Sequence, residues 1–206
     1  MPTMPRTLLE FAGASPAPSH PDQSVLVMID PQREYSTGHV PLAGIDAAVE
    51  EGARLLHFAR AAGMPVIHVL HHARPGATLF APGSDGARFI DALAPMDGET
   101  VLVKHLPNAF AGTELAARIR DTARRGIVLA GFATHMCISA TARSALDHGL
   151  RNTVVAAATA TRDLPHFSGA GVTRAAILQE AALAALADRF SVIVADVDAL
   201  RRLPAQ

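Results

Sequence analysis

Three residues of the 206-residue sequence have side chains that could act together in nucleophilic catalysis. Cys137 is the only cysteine, Lys104 is the only lysine among 18 basic residues, and Asp30 directly follows the apolar run VLVMI. A thiolate attacks electrophilic carbon, an adjacent ammonium group favours the thiolate, and a carboxylate can accept and return its proton. Taken singly, each residue also has a structural explanation, as a small buried side chain, a solvated strand end and a turn former.

The surroundings of Cys137 favour the catalytic interpretation. The residue follows the turn sequence GFAT and lies near the start of a predicted helix. Unpaired backbone N–H groups at a helix start stabilise a thiolate and can also bind an oxyanion. We therefore expect covalent catalysis by Cys137 in which a carboxylate, and not a histidine, carries the proton.

The elements that must position these residues follow from the alternation of strand and helix patterns along the chain. Short apolar runs predict strands at 25–29, 65–70, 100–103, 127–130, 153–157 and 192–195. Apolar residues at helical spacing predict helices at 45–62, 87–93, 113–125, 134–148 and 172–188. This order indicates an α/β fold with a parallel sheet and helices on both faces.

The predicted sheet brings the three residues to one edge. Asp30 ends the first strand, Lys104 ends the third, and Cys137 lies in the first helical turn after the fourth. Ligands of parallel α/β sheets bind in the crevice beyond the carboxyl ends of the strands. We therefore expect the carboxylate, the amine and the thiol to share one crevice.

Composition limits the classes of function. Half of the residues are hydrophobic, 18% are charged and the formal net charge is −1, which argues against a disordered chain and against a basic nucleic-acid surface. A single cysteine excludes an intramolecular disulfide and a cysteine-rich metal site. The longest stretch without a charged residue, 126–142, is too short to span a bilayer. We expect a cytoplasmic protein without nucleic-acid or membrane partners.

The organisation of the chain is simple. Residues 1–22 are rich in proline, alanine and serine and predict an extended N-terminal arm, followed by one domain at 23–206. The first strand is followed by DPQREYSTG, which is not the Gly-x-Gly-x-x-Gly of a dinucleotide-binding fold. The Gly-Lys-Ser/Thr of a P-loop and the Gly-x-Ser-x-Gly of an α/β-hydrolase are also missing from the sequence.

Four segments carry a resemblance to a known family: VLVMIDPQREY, GETVLVKHLPNAFAGTEL, IVLAGFATHMCISATARSALDHG and AATATRDLP. Over residues 24–194 the sequence resembles the isochorismatase-like superfamily of cysteine hydrolases, which includes nicotinamidases, N-carbamoylsarcosine amidohydrolases and ureidoacrylate hydrolases. The resemblance implies a three-layer Rossmann-like fold with a six-stranded parallel sheet. It also implies a catalytic triad of Asp30, Lys104 and Cys137. A cis peptide between Phe132 and Ala133 is implied as well, with the N–H groups of Ala133 and Cys137 forming an oxyanion hole.

The implied activity is hydrolysis of a C–N bond in a small amide, carbamoyl or ureido compound through a thioester on Cys137. Family members that cleave vinyl ethers usually lack this cysteine, so its presence favours an amidohydrolase. Two alternatives stay open: a vinyl ether hydrolase of the isochorismatase type, and a non-catalytic redox-sensing or scaffold member of the family. Family members are commonly homodimers or homotetramers, and the largely apolar predicted helix at 172–188 needs burial from several sides.

The substrate pocket and the absence of a metal are further expectations. The pocket wall is assigned to Gln32, Tyr35, the 71–84 loop with His71, and to His105, Phe110, His135 and Met136. Nicotinamidases usually have an Asp-x-His metal site after the second strand, whereas this sequence has His68, His71 and His72 there without an aspartate. We expect no metal and no cofactor, and assign these histidines to the pocket or to capping.

Overall fold

The computed structural model describes residues 4–203, so the first three residues of the predicted arm and residues 204–206 of the predicted domain lie outside it. A six-stranded parallel sheet has helices on both faces, which confirms the predicted fold class. The strands are β1 (Ser24–Ile29), β2 (Val66–His71), β3 (Thr100–Lys104), β4 (Gly126–Phe132), β5 (Arg151–Ala160), β6 (Leu164–Pro165), β7 (Val172–Thr173) and β8 (Val192–Val194). The sheet order is β3-β2-β1-β4-β5-β8, and β6 pairs with β7 in a separate hairpin.

Helices connect the strands. The α-helices are α1 (Leu8–Phe11), α2 (Ile45–Ala61), α3 (Leu115–Asp121), α4 (Ser139–Asp147), α5 (Ala175–Arg189) and α6 (Asp198–Arg201). Single 3-10 turns cover Pro21–Gln23, Arg33–Tyr35 and Asp91–Leu93, and a π-helical turn covers Thr134–Ile138. Among the residues that the structure describes, no helix is long and apolar enough to cross a membrane.

The core is divided by the sheet into two layers. Every residue of β1 is buried, because the strand is central and both of its faces are covered. On one face Leu26 and Met28 pack with residues of α2 and α6. On the other face Val25 and Val27 pack with residues of α3, α4 and α5. The alternating side chains of one apolar run thus anchor both helical layers and fix the end of β1, where Asp30 begins.

Gly131 lets β1 and β4 approach closely at their carboxyl ends. Its φ of 109° lies in the region that favours glycine, and a Cβ atom there would overlap the Ile29 carbonyl oxygen. Ile29 and Gly131 are also register partners in the two strands. The glycine therefore brings the residues after β1 next to the turn that leads to Cys137.

The predicted helix at 172–188 was wrong at its start, because α5 begins at Ala175 and Val172–Thr173 belong to the β6–β7 hairpin. Asp163 accounts for this difference. Its carboxylate accepts a hydrogen bond from the Ala175 N–H at 2.8 Å and forms an ion pair with Arg174 at 2.7 Å. An acceptor at the first turn satisfies a free helical N–H group and sets where the helix starts.

Two other predicted helices are shorter than expected. The helix expected at 113–125 is confined to Leu115–Asp121. The helix expected at 87–93 is only the 3-10 turn Asp91–Leu93. Strand β5, in contrast, continues three residues beyond its predicted end, to Ala160, past an irregularity in its pairing with β4.

The N-terminal arm is not wholly extended. Thr7 and Glu10 form a capping box around the single turn α1, a T-x-x-E signal that the sequence displays. The Leu8 N–H donates to Asp188 near the end of α5 at 2.9 Å. Arg151 donates to the carbonyl groups of Ser15 and Ala17. The described part of the arm is therefore fastened to the domain by hydrogen bonds.

Candidate active site

Asp30, Lys104 and Cys137 meet beyond the carboxyl ends of β1, β3 and β4. The Lys104 Nζ atom lies 2.8 Å from Asp30 Oδ2 and 3.3 Å from Cys137 Sγ. Both charged residues are completely buried and Cys137 is 4% exposed. The amine thus contacts both the carboxylate and the thiol, and all three groups are shielded from water. They lie at the edge of the sheet where α/β proteins bind ligands.

The backbone aims Asp30 into the site. Its φ of +47° lies in the left-handed region, which aspartate tolerates better than most residues. The Asp30 N–H donates to the Val69 carbonyl at 2.7 Å, and its carbonyl accepts from the Gln32 N–H at 2.7 Å. The chain therefore turns sharply as it leaves β1, with the carboxylate directed toward β3.

Cys137 lies in a π-helical turn that follows β4 and precedes α4. The peptide bond between Phe132 and Ala133, just before this turn, is cis. The N–H groups of Met136 and Ile138 both donate to the Ala133 carbonyl, at 3.0 and 3.3 Å. The sequence predicts an α-helical start here, but the turn is the wider π-helical one. In this turn the Cys137 sulfur atom faces Lys104.

Burial has the largest effect on the pKa values of Asp30 and Cys137. It raises the pKa of Asp30, although the adjacent Lys104 charge and the hydrogen bonds from Lys104 and Cys137 act in the opposite direction. Burial also raises the pKa of the Cys137 thiol, the Asp30 charge acts in the same direction and Lys104 opposes both, with a resulting pKa of about 12. Burial therefore disfavours the charged forms of both Asp30 and Cys137, and the neighbouring Lys104 charge favours them.

Tyr35, the only tyrosine, lies against the same site. Its ring is 7% exposed and packs on Phe80 and Phe132, with ring centroids 5.1 and 6.0 Å apart. Burial raises its pKa far above the ordinary value, and the charges of Asp30 and Cys137 raise it further. The hydroxyl therefore stays protonated next to the thiol.

Gln32, assigned to the pocket wall, has a structural role instead. It is completely buried, and its amide nitrogen donates to the carbonyl groups of His71 and Ala87 at 3.0 and 2.9 Å. Its amide oxygen accepts from the His71 N–H at 2.8 Å. Both ends of the amide bind backbone, so Gln32 fastens the end of β2 and has no polar group left for a substrate.

Phe110 lies near the far end of α4, and its assignment to the pocket stays a prediction. Its ring packs on His148 at a centroid distance of 4.4 Å. His148 follows the last residue of α4, eleven residues beyond Cys137. At a rise of about 1.5 Å per helical residue, that end of α4 is roughly 15 Å from the sulfur atom. The ring is part of the buried cluster that also contains Cys137.

The remaining assigned pocket residues lie around the site. Met136 is 45% exposed next to Cys137, and the exposed His105 donates through Nδ1 to the His72 carbonyl at 2.8 Å. His135 binds the Thr161 hydroxyl through Nδ1, while its Nε2 is buried with no hydrogen-bond partner among the described residues. Met136 and His105 are thus exposed to solvent near the site. The Nε2 atom of His135 is available for a hydrogen bond to a ligand.

His71 contacts Lys104 directly. Its Nδ1 lies 3.4 Å from the Lys104 Nζ atom, and its ring packs on Phe80 at 5.4 Å. Burial lowers the pKa of His71 to about 4, and the Lys104, His105 and His72 charges act in the same direction. The imidazole is therefore neutral at physiological pH.

The histidines after β2 do not converge. His68 is completely buried, and its Nε2 lies 2.9 Å from Glu99 Oε2, whereas His71 faces Lys104. Within residues 4–203, no group of three or more histidine, cysteine, aspartate or glutamate side chains is arranged to hold a metal ion. His68 thus contacts Glu99, which Arg60 also contacts at 2.8 Å.

Two site residues were missed at the sequence level, Thr161 and Arg162. They directly follow β5, whose last residue Ala160 is the register partner of Phe132 in β4. Arg162 donates to the neighbouring Asp163 carbonyl at 3.3 Å and forms no ion pair within residues 4–203. Its charge lowers the pKa of His135, after the larger effect of burial. The segment AATATRDLP contained the signal, because it follows a predicted strand next to the nucleophile strand.

The chain resembles known proteins along nearly its whole length, and residues 24–196 match the isochorismatase domain family. It is 38% identical over 186 residues to the secreted isochorismatase effector Isc1 of Verticillium dahliae, covering 90% of this chain and 95% of that protein. It is also 38% identical over 146 residues to maleamate amidohydrolase of Pseudomonas putida, covering 63% of this chain and 68% of that protein. An isochorismatase structure from Pseudomonas putida has a TM-score of 0.88 and 37% identity, covering 93% of this chain and 97% of that chain. The chain therefore belongs to the isochorismatase family of hydrolases, and its relatives include amidohydrolases.

Proposed function

We propose that the protein hydrolyses a C–N bond of a small amide, carbamoyl or ureido compound through a thioester on Cys137. The observation that carries this proposal is the buried contact of one ammonium group with both a carboxylate and a thiol. Cys137 is 4% exposed, so the substrate that reaches it is small. The family relationship supports the same reaction type.

In the proposed reaction, Asp30 accepts the thiol proton as the Cys137 sulfur attacks the substrate carbonyl. The backbone N–H groups of Ala133 and Cys137 receive the negative charge on the carbonyl oxygen. Asp30 then protonates the departing amine as the C–N bond breaks, leaving the thioester. Water that gives its proton to Asp30 hydrolyses the thioester, which releases the acid and returns the thiol.

Burial assists this sequence of proton transfers. Because burial raises the pKa of Asp30, the carboxylate is a stronger base than an exposed aspartate and can compete for the thiol proton. The Lys104 ammonium group stabilises both anions that alternate during the reaction, the carboxylate and the thiolate. The positive charge therefore stays on Lys104 while the negative charge moves between Asp30 and Cys137.

We further propose that the substrate has a carboxylate beside the scissile amide. Arg162, with no carboxylate partner within residues 4–203, lies close enough to His135 and Tyr35 to influence the pKa of both. The buried Nε2 of His135 is available as a second contact. Arginine binds carboxylates through two parallel N–H groups. The relative named maleamate amidohydrolase acts on an amide of this kind.

A screen of small amides that follows ammonia or amine release tests both proposals. Each acid amide is paired with its neutral methyl ester. We expect turnover of acid amides by the wild-type protein and none by Cys137→Ala, which removes the nucleophile and keeps the fold. Arg162→Gln raises KM for acid amides roughly 10- to 100-fold, the loss expected for a hydrogen bond to a charged group, and leaves neutral amides unaffected. Turnover by Cys137→Ala would contradict the thioester.

If none of the amides is hydrolysed, the two alternatives named above are favoured instead. Turnover of vinyl ethers would then indicate an isochorismatase-type reaction, and reversible oxidation of Cys137 without turnover would indicate a redox sensor. A cytoplasmic location also remains part of the proposal, and cell fractionation with an antibody tests it.

A further inference from the structure

The ammonium group of Lys104 has three N–H bonds and three neighbours that can accept them. Asp30 Oδ2 lies 2.8 Å from the Nζ atom and Cys137 Sγ lies 3.3 Å from it. The third neighbour is His71 Nδ1, at 3.4 Å. Lys104 is completely buried, so no water is needed to complete its hydrogen bonds.

We propose that His71 is a positioning residue for the reaction, whose neutral imidazole accepts the third hydrogen of Lys104 and so fixes the ammonium group between Asp30 and Cys137. The part of this inference that concerns catalysis rests on the proposed function; the contact itself does not. A contact through Nδ1 requires that the imidazole hydrogen be on Nε2. The His71 side chain is thus assigned to the catalytic lysine rather than to the substrate.

The fold holds the His71 ring in a single place. His71 and Lys104 are register partners in β2 and β3, so their backbones are adjacent. Both the N–H and the carbonyl of His71 bind the buried amide of Gln32. Phe80 packs edge-on against the imidazole at 5.4 Å. Two strands, one buried amide and one aromatic ring therefore determine where Nδ1 points.

The charges around His71 keep it able to accept a hydrogen bond. Lys104 and His105 face it from β3 and the residue after it, and His72 follows it in the chain. Phe80 and Gln32, which pack against the residue, carry no charge. Burial and the Lys104 charge together disfavour the imidazolium form, and the pKa of His71 falls to about 4. The Nδ1 lone pair is therefore retained at neutral pH.

Nitrogen-proton correlation spectra of the histidine rings test the contact without any substrate. We expect His71 to be the neutral tautomer with its hydrogen on Nε2 at pH 7. In Lys104→Met we expect its pKa to rise toward 6.5, because the closest positive charge is gone. A hydrogen on Nδ1, or an unchanged His71 titration in Lys104→Met, would overturn the proposal.

Two substitutions at the same position then test the consequence for catalysis. His71→Leu removes the acceptor, and we expect kcat to fall roughly 10- to 100-fold with little change in KM. His71→Asn places an amide oxygen near the position of Nδ1, and we expect it to restore most of kcat. His57→Asn makes the same exchange at an exposed histidine of α2, which was assigned to no part of the site, and serves as the matched control.

The outcomes separate a positioning role from a packing role. If His71→Asn is as slow as His71→Leu while both melt cooperatively, the ring acts through packing and the proposal fails. If His71→Leu does not fold, His71→Ala provides the acceptor-free variant for the same comparison. If no amide is a substrate, the rate of Cys137 alkylation at fixed pH replaces kcat. The proposed function would then have failed, while a roughly tenfold slower alkylation without the acceptor would still support the contact.

Discussion

At the scale of single residues, the site depends on side chains that the composition makes rare. Lys104 is the only lysine, and it is completely buried in contact with a carboxylate, a thiol and an imidazole. The sequence predicted Asp30, Lys104 and Cys137 together, because each follows a strand. It did not predict the contact with His71, since that contact depends on the register of β2 and β3 and not on sequence spacing.

Lys104→Arg tests whether the position needs an amine. The three acceptors surround one nitrogen atom, whereas a guanidinium group is planar, larger and directs its N–H groups outward. We expect kcat to fall at least about 100-fold, because a misplaced group near the reacting atoms costs that much. Initial rates on a substrate from the amide screen measure this effect.

The matched control for this substitution is Arg118→Lys, an exchange of the same pair of residues in an exposed helical ion pair with Glu114. It should leave both rate and melting temperature unchanged, since exposed pairs contribute little to stability. Wild-type turnover by Lys104→Arg would show that the charge suffices and that an amine is not required.

At the scale of elements, the sequence predicted the six strands of the sheet and the edge at which the site lies. Longer apolar runs have a clear periodicity, but the two-residue strands β6 and β7 have none. The predicted helix at 172–188 therefore included β7, and β6 was not predicted. The π-helical turn at Thr134–Ile138 likewise differs from an α-helical start only in its backbone hydrogen bonds. The elements that were missed are those set by tertiary contacts, such as the bond from Asp163 to the start of α5.

The close approach of β1 and β4 predicts a large cost for Gly131→Ala. The added Cβ would overlap the Ile29 carbonyl oxygen, and the positive φ is unfavourable for alanine as well. We expect a loss of about 3 kcal/mol or more in the free energy of unfolding, measured by urea denaturation.

Gly149→Ala provides the comparison for this loss. Gly149 also has a positive φ, of 69°, but no atom lies within 4 Å of an added Cβ. It should cost only about 1 kcal/mol, the backbone effect alone. Equal losses at the two positions would mean that the strands separate easily and that their close approach is not needed to hold the site.

At the scale of the whole molecule, part of the apolar surface is uncovered in the single chain. Ile177 in α5 is 62% exposed, Val172 is 53% exposed, and Phe167 at the tip of the β6–β7 hairpin is 95% exposed. Of the residues of α5, only Ala175 and Leu186 are buried. The apolar character of this helix, from which association was expected, is therefore not explained by packing within the chain.

We expect the protein to associate as a homodimer or homotetramer through this apolar surface. Light scattering at micromolar protein concentration should give two or four times the mass of a single chain. Ile177→Glu, which places a charge on the exposed face, should shift the mass toward the monomer. A monomer mass for the wild-type protein would contradict the expectation.

The position of Tyr35 means that the intrinsic fluorescence of the protein can be used to follow ligand binding near Cys137. The sequence has no tryptophan and one tyrosine, so nearly all of the ultraviolet fluorescence of the chain originates from a single ring. That ring is buried between Phe80 and Phe132, beside the Cys137 sulfur. A change in emission on mixing with a ligand therefore reports events at the thiol, without a dye or an engineered label.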